Sequence, residues 1–262
     1  MDVLEAPPPG TPAAEFDPEW LRAHLAEERR NASLLGEIRE AIFGAQDGLT
    51  STLAVVSTVA GASANRFPVL IAGIASGLAG VFSMAAGEYM SSKSQREIFE
   101  AQIAGERDEV AERPGEAEAE MAYMLAEDGL PRADASAMAR TIAEHPDVLL
   151  KTMVEKELGL TGKHAEGSPL QGALIMGTSF GLGALVPILP YLLLPVGAAI
   201  WGALLATGGV LFGIGVVKSR WTRRPWLRSG VEILLLGAVA GIAGYLLGNL
   251  LSTLLGIPAS PA

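Results

Sequence analysis

Long runs of uncharged, mostly apolar residues constrain this chain more than any other feature of its sequence. The hydrocarbon core of a bilayer is about 30 Å thick, and a helix needs roughly 20 residues to cross it. Runs of that order cover residues 41–62, uncharged apart from Asp47, and residues 68–87, 170–194, 195–217 and 232–257, the last beginning at Glu232. Because the backbone must satisfy its own hydrogen bonds in lipid, each run is predicted to be a helix. The first run is rich in small and polar residues, which indicates packing against protein rather than lipid.

The composition agrees with lipid as the solvent and narrows the possible chemistry. Half of the residues are hydrophobic and only 18% are charged. The chain has no cysteine and only 3 histidines, so a metal site must rely on oxygen and thioether ligands. A net charge of −10 favours cationic partners over nucleic acid. The sequence contains no phosphate-binding loop and no Ser/His/Asp arrangement, so we expect neither an enzyme nor an organic cofactor.

Basic residues in short loops predict the orientation. The segment KSRWTRRPWLR, between the fourth and fifth runs, contains 5 basic residues and no acidic one, so it is predicted to be cytoplasmic. With five spans, the N-terminus and the segment between spans 2 and 3 then lie in the cytoplasm. The predicted fold is an all-α integral membrane protein with five transmembrane helices and a cytoplasmic helical domain inserted between spans 2 and 3. Its predicted parts are a tail with an amphipathic helix (residues 1–40), transmembrane helices 1 and 2 (41–92), the inserted domain (93–168) and transmembrane helices 3 to 5 (169–262).

The inserted segment is acidic and helical in pattern. Residues 91–168 carry 17 acidic and 9 basic side chains, which predicts exposure to water. Span 2 has no helix breaker before Pro114, so it is predicted to continue out of the membrane as one long helix. Shorter helices are predicted over residues 114–128, 134–144 and 147–158, with Asp147 as the N-cap of the last.

Three side chains in the first two spans are candidates for ion handling. A carboxylate about one turn inside a span, such as Asp47, is costly in lipid and typical of ion or proton transport; the alternative is an interfacial helix cap. Met84 and Glu88 are four residues apart, so a thioether and a carboxylate share one helix face and are together candidates for ion binding. The alternative is that Met84 is a core residue and Glu88 lies at the membrane interface.

The acidic segment supplies a second group of candidates. Three pairs have helical spacing: Glu106 with Glu109, Glu116 with Glu120, and Met153 with Glu157. Carboxylates at such spacing repel one another unless a cation lies between them, so the pattern predicts a divalent-metal site; a solvated acidic surface is the alternative. A thioether ligand would favour Fe²⁺ over Mg²⁺, although Met153 is equally suited to packing.

The strings REAIFGAQDGLTSTLAVVSTVAGA, IAGIASGLAGVFSMAAGEYMSSKSQ and MVEKELGL resemble the vacuolar iron transporter family over about residues 38–255. The resemblance implies a homodimer of five-span protomers that exchanges Fe²⁺, or Mn²⁺, Zn²⁺ or Co²⁺, for protons. It also implies that Asp47 of the DGL motif and Met84 of the SM motif line the translocation path. The implied metal ligands of the domain are Glu106, Glu109, Glu120, Met153 and Glu157, with Glu116 replacing a glutamate whose aligned position holds Ala117.

The chain departs from that family pattern in span 2. Relatives can carry an acidic residue two turns before the SM methionine, where this chain has Ser76, and Glu88 is the nearest carboxylate that could take over its function. The alanine-rich, cysteine-free composition suggests a bacterial inner membrane, with export from the cytosol and a cytoplasmic N-terminus.

Two other functions compete with transport. Clustered glutamates on helices also build di-iron sites, so a membrane-anchored ferroxidase is one alternative, although the Glu-x-x-His pairs of such proteins are missing from the acidic segment. The other is an anchored iron-binding protein that sequesters metal or senses it. The carboxylate of Asp47 within a span argues against a simple anchor.

Overall fold

The computed structural model describes residues 17–63, 65–159 and 168–254, and this part of the chain forms eight α-helices and no strand. The all-α class predicted from the sequence is therefore confirmed. The helices are α1 (Pro18–Ala62), α2 (Arg66–Glu112), α3 (Pro114–Glu127), α4 (Arg132–Ala143), α5 (Pro146–Lys156), α6 (Pro169–Leu193), α7 (Val196–Thr222) and α8 (Trp226–Leu254). Residues 1–16, which belong to the predicted tail, lie outside the described residues.

The chain divides into two compact units. One consists of Met1–Ser33 and Met90–Ser168, and we call it the acidic unit; the other consists of Leu34–Tyr89 and Pro169–Ala262, and we call it the apolar unit. Both α1 and α2 contribute residues to each unit.

Within the described ranges, four helices are long and apolar enough to cross a membrane, namely α2, α6, α7 and α8. Their most apolar windows have mean hydropathies of 1.8 to 2.0, which is typical of transmembrane helices and makes this a multi-pass membrane protein. The helix α1 is not among them, so the fifth span remains a prediction. Its second half is nevertheless packed against neighbouring helices, because Leu49, Leu53 and Val56 are 0 to 1% exposed.

The first two helices are both longer than the spans predicted within them. The extension of span 2 beyond the apolar stretch is confirmed, because α2 continues without interruption to Glu112. The residues of the predicted amphipathic helix up to Glu40 are also helical, but they form the first half of α1 and continue into the predicted span 1 without interruption. The sequence between Pro18 and Ala62 contains no proline to break that helix.

Prolines mark the helix starts of the acidic unit. Helices α3 and α5 have proline at their first position, where its missing N–H costs nothing and its fixed φ suits the helix. The N-cap of α5 is therefore His145, and the prediction of Asp147 as N-cap is wrong because Asp147 lies in the first turn. Helices α3, α4 and α5 enclose a small apolar core that includes Met121, Leu149 and Met153.

Candidate metal centre

Three carboxylates meet where α2 ends and α3 begins. Glu109 lies in the last turn of α2, and Glu116 and Glu120 lie on one face of α3, one turn apart. One carboxylate oxygen from each of the three lies within 4.8 Å of the other two. That spacing matches the oxygen set that a divalent cation binds when it is shared by several carboxylates. The break at Pro114 produces this meeting, because it turns the chain between two acidic helix ends.

Arg113, the residue between the two helices, contacts two of these carboxylates. Its Nη2 lies 3.2 Å from Glu109 Oε2, and its Nη1 lies 2.8 Å from Glu116 Oε2. Each nitrogen therefore pairs with a carboxylate of a different helix. The guanidinium is 55% exposed, so the pairing occurs at the solvent edge of the cluster.

Two further acids, Glu106 and Glu157, lie close enough to interact with the cluster through their charges. Burial raises the pKa of Glu106, and the nearby carboxylates of Glu157 and Glu109 raise it further. Its Oε2 atom is buried and has no hydrogen-bond partner within the described part of the chain. An unpaired buried oxygen of this kind is costly, which makes it a natural acceptor for a cation.

Glu120 interacts with three other acids of the cluster. Burial raises the pKa of its carboxyl, and the charges of Glu109 and Glu157, a side-chain hydrogen bond with Glu109 and the charge of Glu116 raise it further. Like charges at short range favour the protonated form, which is why the neighbouring carboxylates act in the same direction as burial at both Glu106 and Glu120. A cation shared with these neighbours would relieve the repulsion at both residues.

An open pocket of about 430 Å³ lies beside this cluster. It is lined by Glu116, Ala119, Glu120, Tyr123, Met124 and Glu157. The pocket gives a hydrated ion access to the carboxylates from solvent.

Met153 and Glu157 differ in their surroundings although they share a helix face. Met153 is fully buried in the apolar core beside Met121 and Leu149, so its present contacts are those of packing. Lys156, the residue before Glu157, forms an ion pair with Asp128 and so links the end of α5 to the end of α3. The role of Met153 as a ligand remains a prediction.

Phe180 of α6 contacts glycines beside both predicted path residues. Asp47 is half-buried on α1, and the adjacent Gly48 lies so close to the Phe180 carbonyl that no Cβ would fit. Gly80, one turn before Met84 on α2, lies equally close to the Phe180 ring. The backbone and ring of one residue therefore pack against α1 next to Asp47 and against α2 one turn before Met84. Glu88 is half-buried one turn beyond Met84 on α2, and Ser76 lies two turns before Met84.

Sequence reasoning missed a further carboxylate on α1. Glu40 lies two turns before Asp47, and its Oε2 would be 3.2 Å from a Cβ placed on Gly172, in the first turn of α6. Nearby, Gln171 Nε2 donates a 2.8 Å hydrogen bond to Glu37 Oε1. The seven-residue spacing from Asp47 was the available signal, because it places both acids on one helix face.

The apolar helices and the acid-rich helical unit define the class, a multi-pass α-helical membrane protein with clustered carboxylates. The model of the VIT family matches residues 38–249. The chain is 34% identical to vacuolar iron transporter 1 of Arabidopsis thaliana over 90% of its own length and 93% of the relative's. It is 33% identical to vacuolar iron transporter 1 of Oryza sativa subsp. japonica over 85% and 88% of the two chains. A vacuolar iron transporter of Toxoplasma gondii is 28% identical over 84% of this chain and 76% of the relative. This chain therefore belongs to the VIT family.

Proposed function

We propose that this protein is a secondary transporter that moves Fe²⁺, and also Mn²⁺, out of the cytosol in exchange for protons. The convergence of Glu109, Glu116 and Glu120 at the α2–α3 junction carries the proposal. The named function of the plant and protozoan relatives supports it, because their similarity extends over most of the chain.

The acidic unit acts in this proposal as the collector of cargo. Its negative charge raises the local concentration of cations, and the carboxylates of Glu106, Glu109, Glu116, Glu120 and Glu157 replace part of the water around the ion. Hard oxygen ligands bind first-row divalent ions at moderate strength, which suits a site that must release its cargo again.

The translocation step is assigned to Asp47 and Met84, with Glu88 as a nearby carboxylate. A carboxylate and a thioether together suit Fe²⁺ and Mn²⁺ better than Mg²⁺. A proton that reaches Asp47 from the far side neutralises the carboxylate and releases the ion. Alternation of the metal-bound and protonated states then couples the two flows.

The assembly in this proposal is a homodimer in which α1 supplies a fifth span beside the four apolar helices. The N-terminus and the acidic unit lie in the cytoplasm, in keeping with the basic segment around Arg223. The bacterial inner membrane stays a prediction from the alanine-rich, cysteine-free composition.

Metal and proton flux in proteoliposomes test the proposal. Wild-type protein is reconstituted with an internal pH dye, a proton gradient is imposed, and uptake of Fe²⁺ under anaerobic conditions and of Mn²⁺ is followed. We expect flux that depends on the gradient and falls to the level of protein-free liposomes in Asp47→Ala. Asp134→Ala is the matched control, because Asp134 is exposed in the first turn of α4.

The outcomes separate transport from its alternatives. Normal flux in Asp47→Ala would refute the assigned path. Metal binding without flux would instead favour a sequestering or sensing protein, and oxygen consumption on addition of Fe²⁺ would favour a ferroxidase.

A further inference from the structure

Arg113 has a defined backbone position in spite of its exposed side chain. It is the N-cap residue of α3, with φ −132° and ψ 54°. Its N–H donates to Glu109 O at 2.8 Å, and its carbonyl accepts from Glu116 N at 2.9 Å. The residue is thus hydrogen-bonded to both helices through its main chain, which keeps the guanidinium beside the junction.

The guanidinium pairs with two of the three residues that a metal would use. Its two nitrogens pair with Oε2 of Glu109 and Oε2 of Glu116, and both residues belong to the set whose oxygens lie within 4.8 Å of one another. Without a metal, Arg113 therefore supplies the positive charge that lets these acids approach.

An ion bound to the same two carboxylates would meet this charge at short range. Metal–oxygen bonds of about 2.0–2.6 Å, added to the nitrogen–oxygen distances, would place the ion no more than roughly 5–6 Å from the guanidinium nitrogens. At that distance a divalent cation and an arginine repel each other appreciably even near a protein surface. The arginine must swing away into solvent, or the ion must bind against its repulsion.

We propose that Arg113 is a resident competing cation that weakens ion binding at the carboxylate cluster and so sets the affinity at which the acidic unit takes up and releases cargo. The inference rests on the proposed metal-collecting role of this cluster. The reason for such a device is that a collector with too high an affinity would retain its cargo.

Isothermal titration calorimetry tests the inference: Fe²⁺ is titrated anaerobically into the full-length chain in detergent, and the affinity is measured. We expect Arg113→Gln to bind Fe²⁺ about tenfold more tightly than wild type at low ionic strength, with the difference shrinking as salt is added. Arg113→Lys keeps the charge without the fork-shaped pairing and is expected to fall between the two.

Arg140→Gln is the matched control. It removes the same charge from the same unit, but Arg140 Nε lies 3.8 Å from Glu118, outside the cluster. We expect it to change the affinity by less than about twofold, as for other exposed pairs. Equal effects of Arg113→Gln and Arg140→Gln would overturn the inference, because a general charge effect would then explain both. Unchanged or weaker binding by Arg113→Gln would also overturn it.

Glu120→Gln separates the metal site itself from the role of Arg113. If the cluster is the metal site, Glu120→Gln binds Fe²⁺ more weakly whatever Arg113 does. Wild-type binding that survives Glu120→Gln unchanged would count against the metal site itself. Normal wild-type binding, weakened by Glu120→Gln but not strengthened by Arg113→Gln, would remove only the role of Arg113. Circular dichroism and size exclusion verify that each variant is folded.

Discussion

At the scale of single residues, the acidic unit concentrates carboxylates beyond what one helix surface would hold. Glu106 and Glu120 both have raised pKa values, first from burial and then from neighbouring acids. In the metal-free protein these groups take up protons more readily than in the unfolded chain. Protons and metal ions therefore compete for the same oxygens, and binding of Fe²⁺ should weaken as the pH falls.

The raised pKa of Glu106 predicts a pH-dependent gain in stability on substitution. A carboxyl whose folded-state pKa is raised stabilises the fold fully below its unfolded pKa, near 4.5, and this contribution is lost as the pH rises through the folded-state pKa. A permanently neutral amide avoids that loss. We therefore expect metal-free Glu106→Gln to unfold a few degrees above wild type at pH 7, and the difference to vanish towards pH 4.

Thermal unfolding of the full chain in detergent with a chelator measures this difference. Glu155→Gln, at an exposed position on α5, is the matched control and should leave the midpoint unchanged at both pH values. Equal midpoints for Glu106→Gln and wild type at pH 7 would contradict the raised pKa of Glu106. Added Fe²⁺ should reverse the order, because only wild type keeps the full set of ligands.

The site was predictable from the sequence only in part. Helical spacing and the family resemblance together identified the five glutamates, and the structure brings Glu109, Glu116 and Glu120 together. Spacing could not reveal that Met153 faces an apolar core, because burial depends on α3 and α4 as well. Arg113 was not among the predicted residues, although its spacing, four residues after Glu109 and three before Glu116, places it on the same helical face as each.

At the scale of helices, α1 depends on glycines for its packing. Backbone of α6 lies against Gly44 and Gly48, where a Cβ would meet the carbonyls of Met176 and Phe180. Close approach of this kind supplies much of the packing between membrane helices, because lipid offers no hydrophobic drive to bring them together. Thr58 adds a hydrogen bond, since its Oγ1 donates to Gly244 O at 2.9 Å.

Alanine substitutions on α1 should have opposite effects at two glycines. Gly48→Ala forces α1 away from α6 and should cost about 1–3 kcal/mol, because the obstacle is backbone rather than a movable side chain. Gly36→Ala meets nothing within 4 Å and should stabilise the helix by up to about 1 kcal/mol. Unfolding midpoints in detergent compare the two, and equal shifts would contradict the close packing at Gly48.

The helix pattern was predictable wherever proline and glycine interrupt the chain. Pro114, Gly129, Pro131 and Pro146 separate the helices of the acidic unit close to where the structure has them. The first helix was harder, because no breaker divides its charged first half from its apolar second half. Its small and polar residues face neighbouring helices, so hydropathy alone underestimates the second half.

At the scale of the whole molecule, the number of crossings decides which parts share a side of the membrane. If the second half of α1 crosses, the first half of α1 around Ser33 and helices α3 to α5 lie on the same side. If only α2, α6, α7 and α8 cross, the same two regions lie on opposite sides. The buried second half of α1, with Leu49 and Val56 at 0% exposure, favours a crossing within the helical bundle.

Single cysteines distinguish the two arrangements cleanly, because the natural chain contains none. We expect Ser33→Cys and Ser136→Cys to react with a membrane-impermeant maleimide from the same side of oriented vesicles, and Arg66→Cys from the other side. All three positions are exposed, so differences in reactivity report on sidedness rather than burial. Arg66 and Ser136 flank the apolar part of α2 and lie on opposite sides in either arrangement, so they verify that the vesicles are oriented. If Ser33→Cys and Arg66→Cys react from one side and Ser136→Cys from the other, α1 does not cross the membrane. Asp47 would then lie outside the bilayer core, and the assigned translocation path would lose its central carboxylate.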